Sequence, residues 1–217
     1  MSGNRVLMGL LVLLAACETT GQAPLRSCTG CYYDFADTAP PNTALVFSWP
    51  THRLPVRFYA DPRGAMPSLV PLAIASWRGQ FLYGEWSGVE VPDSTMADVI
   101  VTWASTGGVP PDVPPDPGPP VDACAGETSD PVTVFRDSAG TQLHIVLTPR
   151  AGFTDAQVAA CLERVVIHEF GHALGLLRES DSTTDIMYEA PVVSAPSVRD
   201  RNTAEILYHT PATVTPR

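Results

Sequence analysis

The sequence contains no lysine, and its 13 basic side chains are all arginines that form no basic run. They are outnumbered by 23 Asp and Glu residues, which gives a net charge of −10. Because binding to a phosphate backbone depends on clustered positive charge, this composition excludes nucleic acid as a partner. With 45% hydrophobic and 17% charged residues in 217 positions, the chain is suited to one globular domain with a sizeable core.

Long apolar segments are also missing. The run VLMGLLVLLAA at 6–16 follows Arg5 and is too short to span a bilayer as a helix of the mature protein. Such a run is typical of a secretion signal, which predicts a signal peptide over residues 1–16. The sequence therefore indicates an exported protein.

The end of this signal, Leu14-Ala15-Ala16-Cys17, resembles the lipobox of bacterial lipoproteins. The resemblance implies that Cys17 carries lipid and becomes the mature N-terminus. Glu18 follows instead of the aspartate that tends to mark inner-membrane retention in that family, so an outer-membrane anchor in the bacterial envelope is expected. The alternative is an ordinary signal peptide that ends near Cys17.

Cysteines are few. Cys28, Cys31, Cys124 and Cys161 remain beside Cys17, and an even number in an exported protein indicates two disulfides. Three pairings are possible, one of which joins Cys28 to Cys31 and Cys124 to Cys161. Because no second Cys-x-x-Cys exists, a structural disulfide is favoured over a redox pair or half of a zinc site.

The distribution of proline suggests the domain organisation. Residues 17–50 predict a tether to a domain over 51–210, and residues 211–217 predict a tail. Inside the domain, VPPDVPPDPGPPVD at 109–122 predicts a surface insertion, because proline lacks the donor that helices and sheets need. A proline-rich recognition segment is the alternative interpretation of this stretch.

Hydrophobic periodicity predicts both strands and helices within the domain. Thr154 and Gln157 fit a capping box at the start of a long helix that should end at Gly175. The other predicted elements are strands at 54–60, 88–91 and 97–104, a helix at 67–83, a hairpin of 131–135 with 141–148, and a last helix over Val198 to Tyr208.

The strongest chemical signal is His168-Glu169-x-x-His172 on the long helix. Residues four apart share a helix face, so both imidazoles can reach one ion. Zinc accepts imidazole nitrogen, and catalytic zinc sites take three protein ligands plus water. Glu169 can then act on that water as a general base. The alternative is a chance pair of helix histidines without a metal.

The run from His168 to Leu176, HEFGHALGL, resembles the metzincin zinc proteases and especially the matrixins. In that family the helix ends at the glycine that matches Gly175, and Asp185-Ile186-Met187-Tyr188 resembles the family's methionine turn. The resemblance implies an α+β fold with a twisted mixed sheet, a long zinc-binding helix and a C-terminal helix. It also implies one catalytic Zn²⁺, with Met187 packed beneath the ion and Tyr188 next to it.

The third zinc ligand departs from the family pattern. That pattern places a histidine at position 178, where this chain has Arg178, and a guanidinium has no lone pair to offer a cation. Counting back from the methionine turn of matrixin-like sequences instead reaches Glu179. Asp181 is the alternative ligand, and a two-histidine or degenerate site is the third possibility.

These observations predict a monomeric, membrane-anchored zinc endopeptidase that hydrolyses peptide bonds of a peptide or protein substrate, with Glu169 as general base. We expect the substrate to lie along a sheet edge at 131–135 by β-augmentation. One alternative is a catalytically decayed metzincin-like lipoprotein that binds envelope components, with Arg178 as the mark of decay. Another is a lipoprotein that binds such components through residues 109–122.

Overall fold

The computed structural model of the chain describes residues 30–104, 122–137 and 140–216. The predicted signal peptide, the lipidated Cys17, Cys28 and nearly all of the proline-rich stretch at 109–122 lie outside these residues. The strands, in chain order, are β1 (Asp37–Ala39), β2 (Thr43–Leu45), β3 (Val56–Ala60), β4 (Gly88–Glu90), β5 (Val99–Trp103), β6 (Cys124–Thr128) and β7 (Leu143–Pro149). The helices are α1 (Met66–Arg78), α2 (Asp155–Leu174) and α3 (Val198–Tyr208).

A five-stranded mixed sheet has the order β4-β3-β5-β7-β6, in which only β6 runs antiparallel to its neighbour. Alternate side chains of the strands are buried, as in β7, where Leu143, Ile145 and Leu147 are inaccessible to solvent. This period of two places one row of apolar side chains on the sheet face that the helices cover. The fold is therefore α+β, with strands close to 54–60, 88–91 and 97–104 as predicted.

The helices begin and end largely where the sequence indicates. In α2, Thr154 and Gln157 form the reciprocal capping box, and Gly175 ends the helix with a left-handed φ of 117°. The helix α3 has the predicted bounds and starts with a second capping box, between Ser197 and Asp200. The helix α1 ends at Arg78 rather than at 83, because Gly79 follows and glycine weakens helix continuation.

The predicted hairpin of 131–135 with 141–148 is wrong in its first strand. Thr133–Asp137 forms a short π-helical turn, and the antiparallel partner of β7 is β6. Asp130 accepts hydrogen bonds from the backbone N–H groups of Val132 and Thr133, while Pro131 has the fixed φ suited to a first turn. This start signal outweighs the β-branched residues that suggested a strand.

The predicted tether over 17–50 is wrong for residues 30–50, which belong to the fold. Tyr33, Phe35, Phe47 and Trp49 are all buried in the core, and Phe47 stacks on Phe135 with ring centroids 5.5 Å apart. Full burial of one such aromatic side chain contributes about 2–3 kcal/mol. A segment with four of them is therefore held by the domain rather than left free.

The predicted tail is also partly folded. The backbone N–H groups of Thr213 and Val214 both donate to the carbonyl of Val46, at 2.8 and 3.0 Å, and the Val214 side chain is buried. The end of the chain therefore packs beside the N-terminal segment.

One predicted disulfide, Cys124–Cys161, joins the edge strand β6 to the helix α2. Cys31 is also disulfide-bonded, and its pairing with Cys28 stays a prediction because Cys28 is outside the described residues. Within the described ranges, none of the helices combines the length and apolar character needed to cross a bilayer.

Candidate metal centre

The last two turns of α2 bring two imidazoles together. His168 is buried and His172 is half-buried, and their Nε2 atoms lie 3.1 Å apart. The rings meet edge to face, with an interplanar angle of 85°. Their four-residue spacing on one helix face produces this arrangement directly.

Both histidines are oriented through their other ring nitrogen. The Nδ1 atom of His168 lies 2.9 Å from the carbonyl oxygen of Ile186, and that of His172 lies 2.7 Å from the carbonyl oxygen of Leu176. A carbonyl can only accept, so in each neutral imidazole Nδ1 carries the proton and donates it. Each Nε2 is then left with a lone pair, the form in which histidine binds a metal.

Glu179 completes the group. Its Oε1 atom lies 3.2 Å from His172 Nε2 and 3.7 Å from His168 Nε2. Within the described ranges, these three side chains form the single group of three or more His, Cys, Asp or Glu residues whose potential ligand atoms all lie within 4.8 Å of one another. Two imidazole nitrogens and one carboxylate oxygen match a known catalytic zinc ligand set.

Asp181, the alternative third ligand, is not brought to the imidazoles. Its side chain is 84% exposed and pairs with the guanidinium of Arg199 at 2.6 Å. Arg178, at the position of the family's histidine, is exposed.

The charges of the three groups are coupled. Burial alone would raise the pKa of Glu179, but hydrogen bonds and charge from His168 and His172 lower this pKa to about 2. Burial would lower the pKa of His168, but the hydrogen bond with Glu179 and the charges of Glu169 and Glu179 raise it above its ordinary value. Positive charge on the imidazoles therefore stabilises the Glu179 carboxylate, and a bound cation would supply this charge when both Nε2 atoms carry lone pairs.

Residues 30–50 support the bend that follows α2. A Cβ atom at Gly175 would collide with the carbonyl oxygen of Phe47, so this position requires glycine for space as well as for its φ. The backbone N–H of Leu177 donates to the Phe35 carbonyl at 3.0 Å, and Trp49 Nε1 donates to the Ala173 carbonyl at 2.8 Å. These contacts direct the chain from the helix end towards Glu179.

Met187 lies directly under the helix. It is fully buried, and a Cβ atom at Gly171 would collide with its sulfur atom. The Met187 carbonyl accepts from the backbone N–H of Ser180 at 2.7 Å, and a β-bridge joins Ser180 to the half-buried Tyr188. The turn at 185–188 is therefore tied to the segment that carries Glu179.

Asp200 of α3 anchors this turn, and sequence reasoning missed it. Its buried carboxylate accepts hydrogen bonds from the backbone N–H of Ile186 at 2.8 Å, the N–H of Ser197 at 2.7 Å and the hydroxyl of Tyr33 at 2.9 Å. The Ser197-x-x-Asp200 spacing signals a helix start. No local signal reveals the contacts to Ile186 and Tyr33.

Glu169 is buried and held by the edge strand. Thr128 donates its hydroxyl to Glu169 Oε2 at 2.6 Å, and the hydroxyl also lies 3.0 Å from the Glu169 carbonyl oxygen. A Cβ atom at Gly126 would lie 2.5 Å from Glu169 Oε1, so β6 approaches the carboxylate closely only because this residue is glycine.

An open cleft of about 520 Å³ gives access to these groups. It is bounded by the edge strand β6, by residues of α2 and by the segments on either side of the turn at 185–188. Its lining residues are Asp37, Gly126, Glu127, Thr128, Ser129, Asp130, Pro131, His168, Glu169, His172, Leu177, Glu179 and Glu189.

Comparison with known proteins does not extend this picture. No model of a known protein family matches the chain, and no curated protein is found to be similar to it. The resemblance to metzincins therefore depends on the residues and geometry of the site alone.

Proposed function

We propose that this protein is a zinc-dependent endopeptidase with a metzincin-like fold, in which His168, His172 and Glu179 hold one zinc ion. The observation that carries the proposal is the convergence of two Nε2 atoms and one carboxylate oxygen, with each Nδ1 proton committed to a backbone carbonyl. Three protein donors would leave a bound zinc ion one coordination position for water, as in catalytic zinc sites. Met187 would serve as the packed floor beneath the site.

When bound, the ion would supply Lewis acidity to the peptide carbonyl and make a water molecule a better nucleophile. Glu169 accepts the proton of the attacking water and delivers it to the nitrogen of the leaving amine. The hydrogen bond from Thr128 fixes the direction of the carboxylate.

The edge strand β6 offers the binding surface for an extended peptide. Among the described residues, β6 pairs only with β7, so its outer edge has no strand partner. Its residues Gly126, Glu127 and Thr128 line the cleft beside Glu169. A substrate strand added to β6 would therefore lie across the site by β-augmentation, in place of the edge predicted at 131–135.

The location of the protein is a separate part of the proposal and depends on the sequence alone. Leu14-Ala15-Ala16-Cys17 supports export and lipid attachment at Cys17, with the domain acting as a monomer at the bacterial outer membrane. Cys17→Ala should release the protein from the membrane fraction. Retention of this variant in membranes at the wild-type level would contradict lipid anchoring at Cys17.

The enzymatic proposal is tested on the purified full-length chain by zinc content and cleavage of an unfolded protein. Glu169→Gln should retain one zinc ion and lose about 100- to 10,000-fold in rate, because the general base is gone. Glu163→Gln is the matched control, since it makes the same change on an exposed part of α2. Wild-type protein without zinc or cleavage would instead favour the catalytically decayed binding lipoprotein.

A further inference from the structure

Apart from the two histidines of the candidate centre, the ionisable side chains that line the cleft are all acidic. Six of its lining residues are carboxylic acids, and none is an arginine. They are Asp37, Glu127, Asp130, Glu169, Glu179 and Glu189. We infer that the cleft selects peptides with lysine or arginine side chains near the bond that is cleaved, an inference that rests on the proposed endopeptidase function.

Four of the six acids already have partners or roles. Glu169 and Glu179 belong to the site itself, and Asp130 accepts the hydrogen bonds of the π-helical turn. The hydrogen bond to Asp137 raises the pKa of Arg136, and the negative charges of Asp130 and Asp37 add to this effect. The negative charge of Asp37 and Asp130 is therefore partly compensated by Arg136.

Glu127 and Glu189 are different. Both are exposed, and neither side chain makes a hydrogen bond or an ion pair with any residue that the structure describes. One comes from the edge strand that would bind substrate, and the other follows the methionine turn. Their charges are uncompensated on two separate elements of the same cleft.

The spacing of these acids suits a peptide better than a second metal ion. In the described part of the chain, the only group with converging ligand atoms is His168, His172 and Glu179. The remaining carboxylates of the cleft therefore form no second group of three with converging oxygen atoms. A cleft lined by charges of one sign concentrates oppositely charged ligands and orients them without a fixed coordination geometry.

The test compares two fluorogenic peptides that differ only in having lysine or glutamine on both sides of the cleavage site. The expected ratio of kcat/KM is about three- to tenfold in favour of the lysine peptide, since each exposed ion pair contributes modestly. The ratio should approach one at high salt, where such interactions are screened. E127Q combined with E189Q should remove most of the preference.

The matched control is E90Q combined with E163Q, which removes the same charge from exposed positions outside the cleft. This control should keep the wild-type ratio. Equal cleavage of both peptides by the wild type, or an equal loss of preference in both double variants, would overturn the inference while leaving the endopeptidase proposal intact.

Absence of cleavage with either peptide would count against the proposed enzyme, and the inference is then decided by binding. Fluorescence anisotropy would measure the Kd of each labelled peptide. Tighter binding of the lysine peptide that weakens in E127Q/E189Q, but not in E90Q/E163Q, supports the inference. Equal Kd values overturn it.

Discussion

His168 and His172 come from consecutive turns of one helix, whereas Glu179 comes from an irregular segment beyond the helix end. The two imidazole side chains are 6% and 18% exposed, against 43% for the Glu179 side chain. We refer to α2 with His168, Glu169 and His172 as the helix half, and to residues 175–188 as the loop half. Helical spacing sets the geometry of the helix half, and contacts with distant residues set the geometry of the loop half.

This difference shows how the site is stabilised. The helix half relies on the capping box at Thr154, on packing and on the Cys124–Cys161 disulfide. The loop half relies on Phe35 and Phe47 at one end and on Asp200 at the other. A substitution that weakens the helix half should therefore destabilise the whole domain. A substitution that weakens the loop half should first affect the position of Glu179, the proposed third ligand.

The largest effect is expected from Cys124→Ser with Cys161→Ser. The disulfide links residues 37 apart in sequence, and the loop-closure entropy of such a link is about 4 kcal/mol. The free energy of unfolding, measured by urea denaturation under oxidising conditions, should fall by about that amount. A loss below about 1 kcal/mol would show that β6 is held to α2 by packing alone.

Asp200→Asn should destabilise the loop half by about 3 kcal/mol. The amide would leave buried donors from Ile186, Ser197 and Tyr33 without adequate acceptors. Thermal unfolding is the measurement, with the exposed Asp122→Asn as control. A stability equal to that of the control would mean that Asp200 does not anchor the turn.

Measurements of zinc affinity should distinguish the contribution of the helix half from that of the loop half. His172→Ala is expected to weaken zinc binding at least about 100-fold, since loss of even an indirect support costs 10- to 100-fold. Glu179→Ala should cost about tenfold to 100-fold, and Glu179→His should recover most of it. Competition with a chromophoric chelator measures each Kd. Wild-type affinity in Glu179→Ala would exclude Glu179 as a ligand.

Gly126→Ala should lower kcat about tenfold without changing the zinc content. The added methyl group would lie 2.5 Å from both Glu169 Oε1 and Val165 Cγ1, so the carboxylate would have to move. Gly79→Ala is the control, because a Cβ atom there meets its nearest neighbour at an ordinary 3.5 Å. Steady-state kinetics should show the loss only at position 126.

The smallest effect is expected from Asp181→Asn. This carboxylate is exposed and pairs with Arg199, and solvent screens ion pairs of this kind. Zinc affinity should change less than twofold in the same chelator assay. Release of zinc by this variant would assign the third ligand to Asp181 and not to Glu179.

The helix half was predictable because its signals are local. The His168–His172 spacing, the Thr154 cap and Gly175 each act within a few residues, and all three appear in the structure as predicted. Glu179 was the preferred third ligand on the count from the methionine turn, and the structure brings it rather than Asp181 to the imidazoles.

The supports of the loop half were not predictable, because they depend on tertiary contacts. Nothing near Tyr33 indicates that its hydroxyl meets Asp200, 167 residues away. The aromatic residues of 30–50 looked like part of a proline-containing tether, since their burial partners lie elsewhere in the chain. The strand predicted at 131–135 is wrong for the opposite reason, because the local helix-start signal at Asp130-Pro131 outweighs the β propensity of the residues that follow.

The contact between Gly175 and the Phe47 carbonyl has a practical consequence for where the autonomous unit begins. A truncation designed around α2 and starting at residue 51 would delete the strands β1 and β2 and the aromatic side chains against which the bend is formed. The minimal expressible fragment should therefore start no later than about residue 30, ahead of Tyr33. Shorter fragments would retain both histidines but lose the backbone support that presents the acidic residue to them.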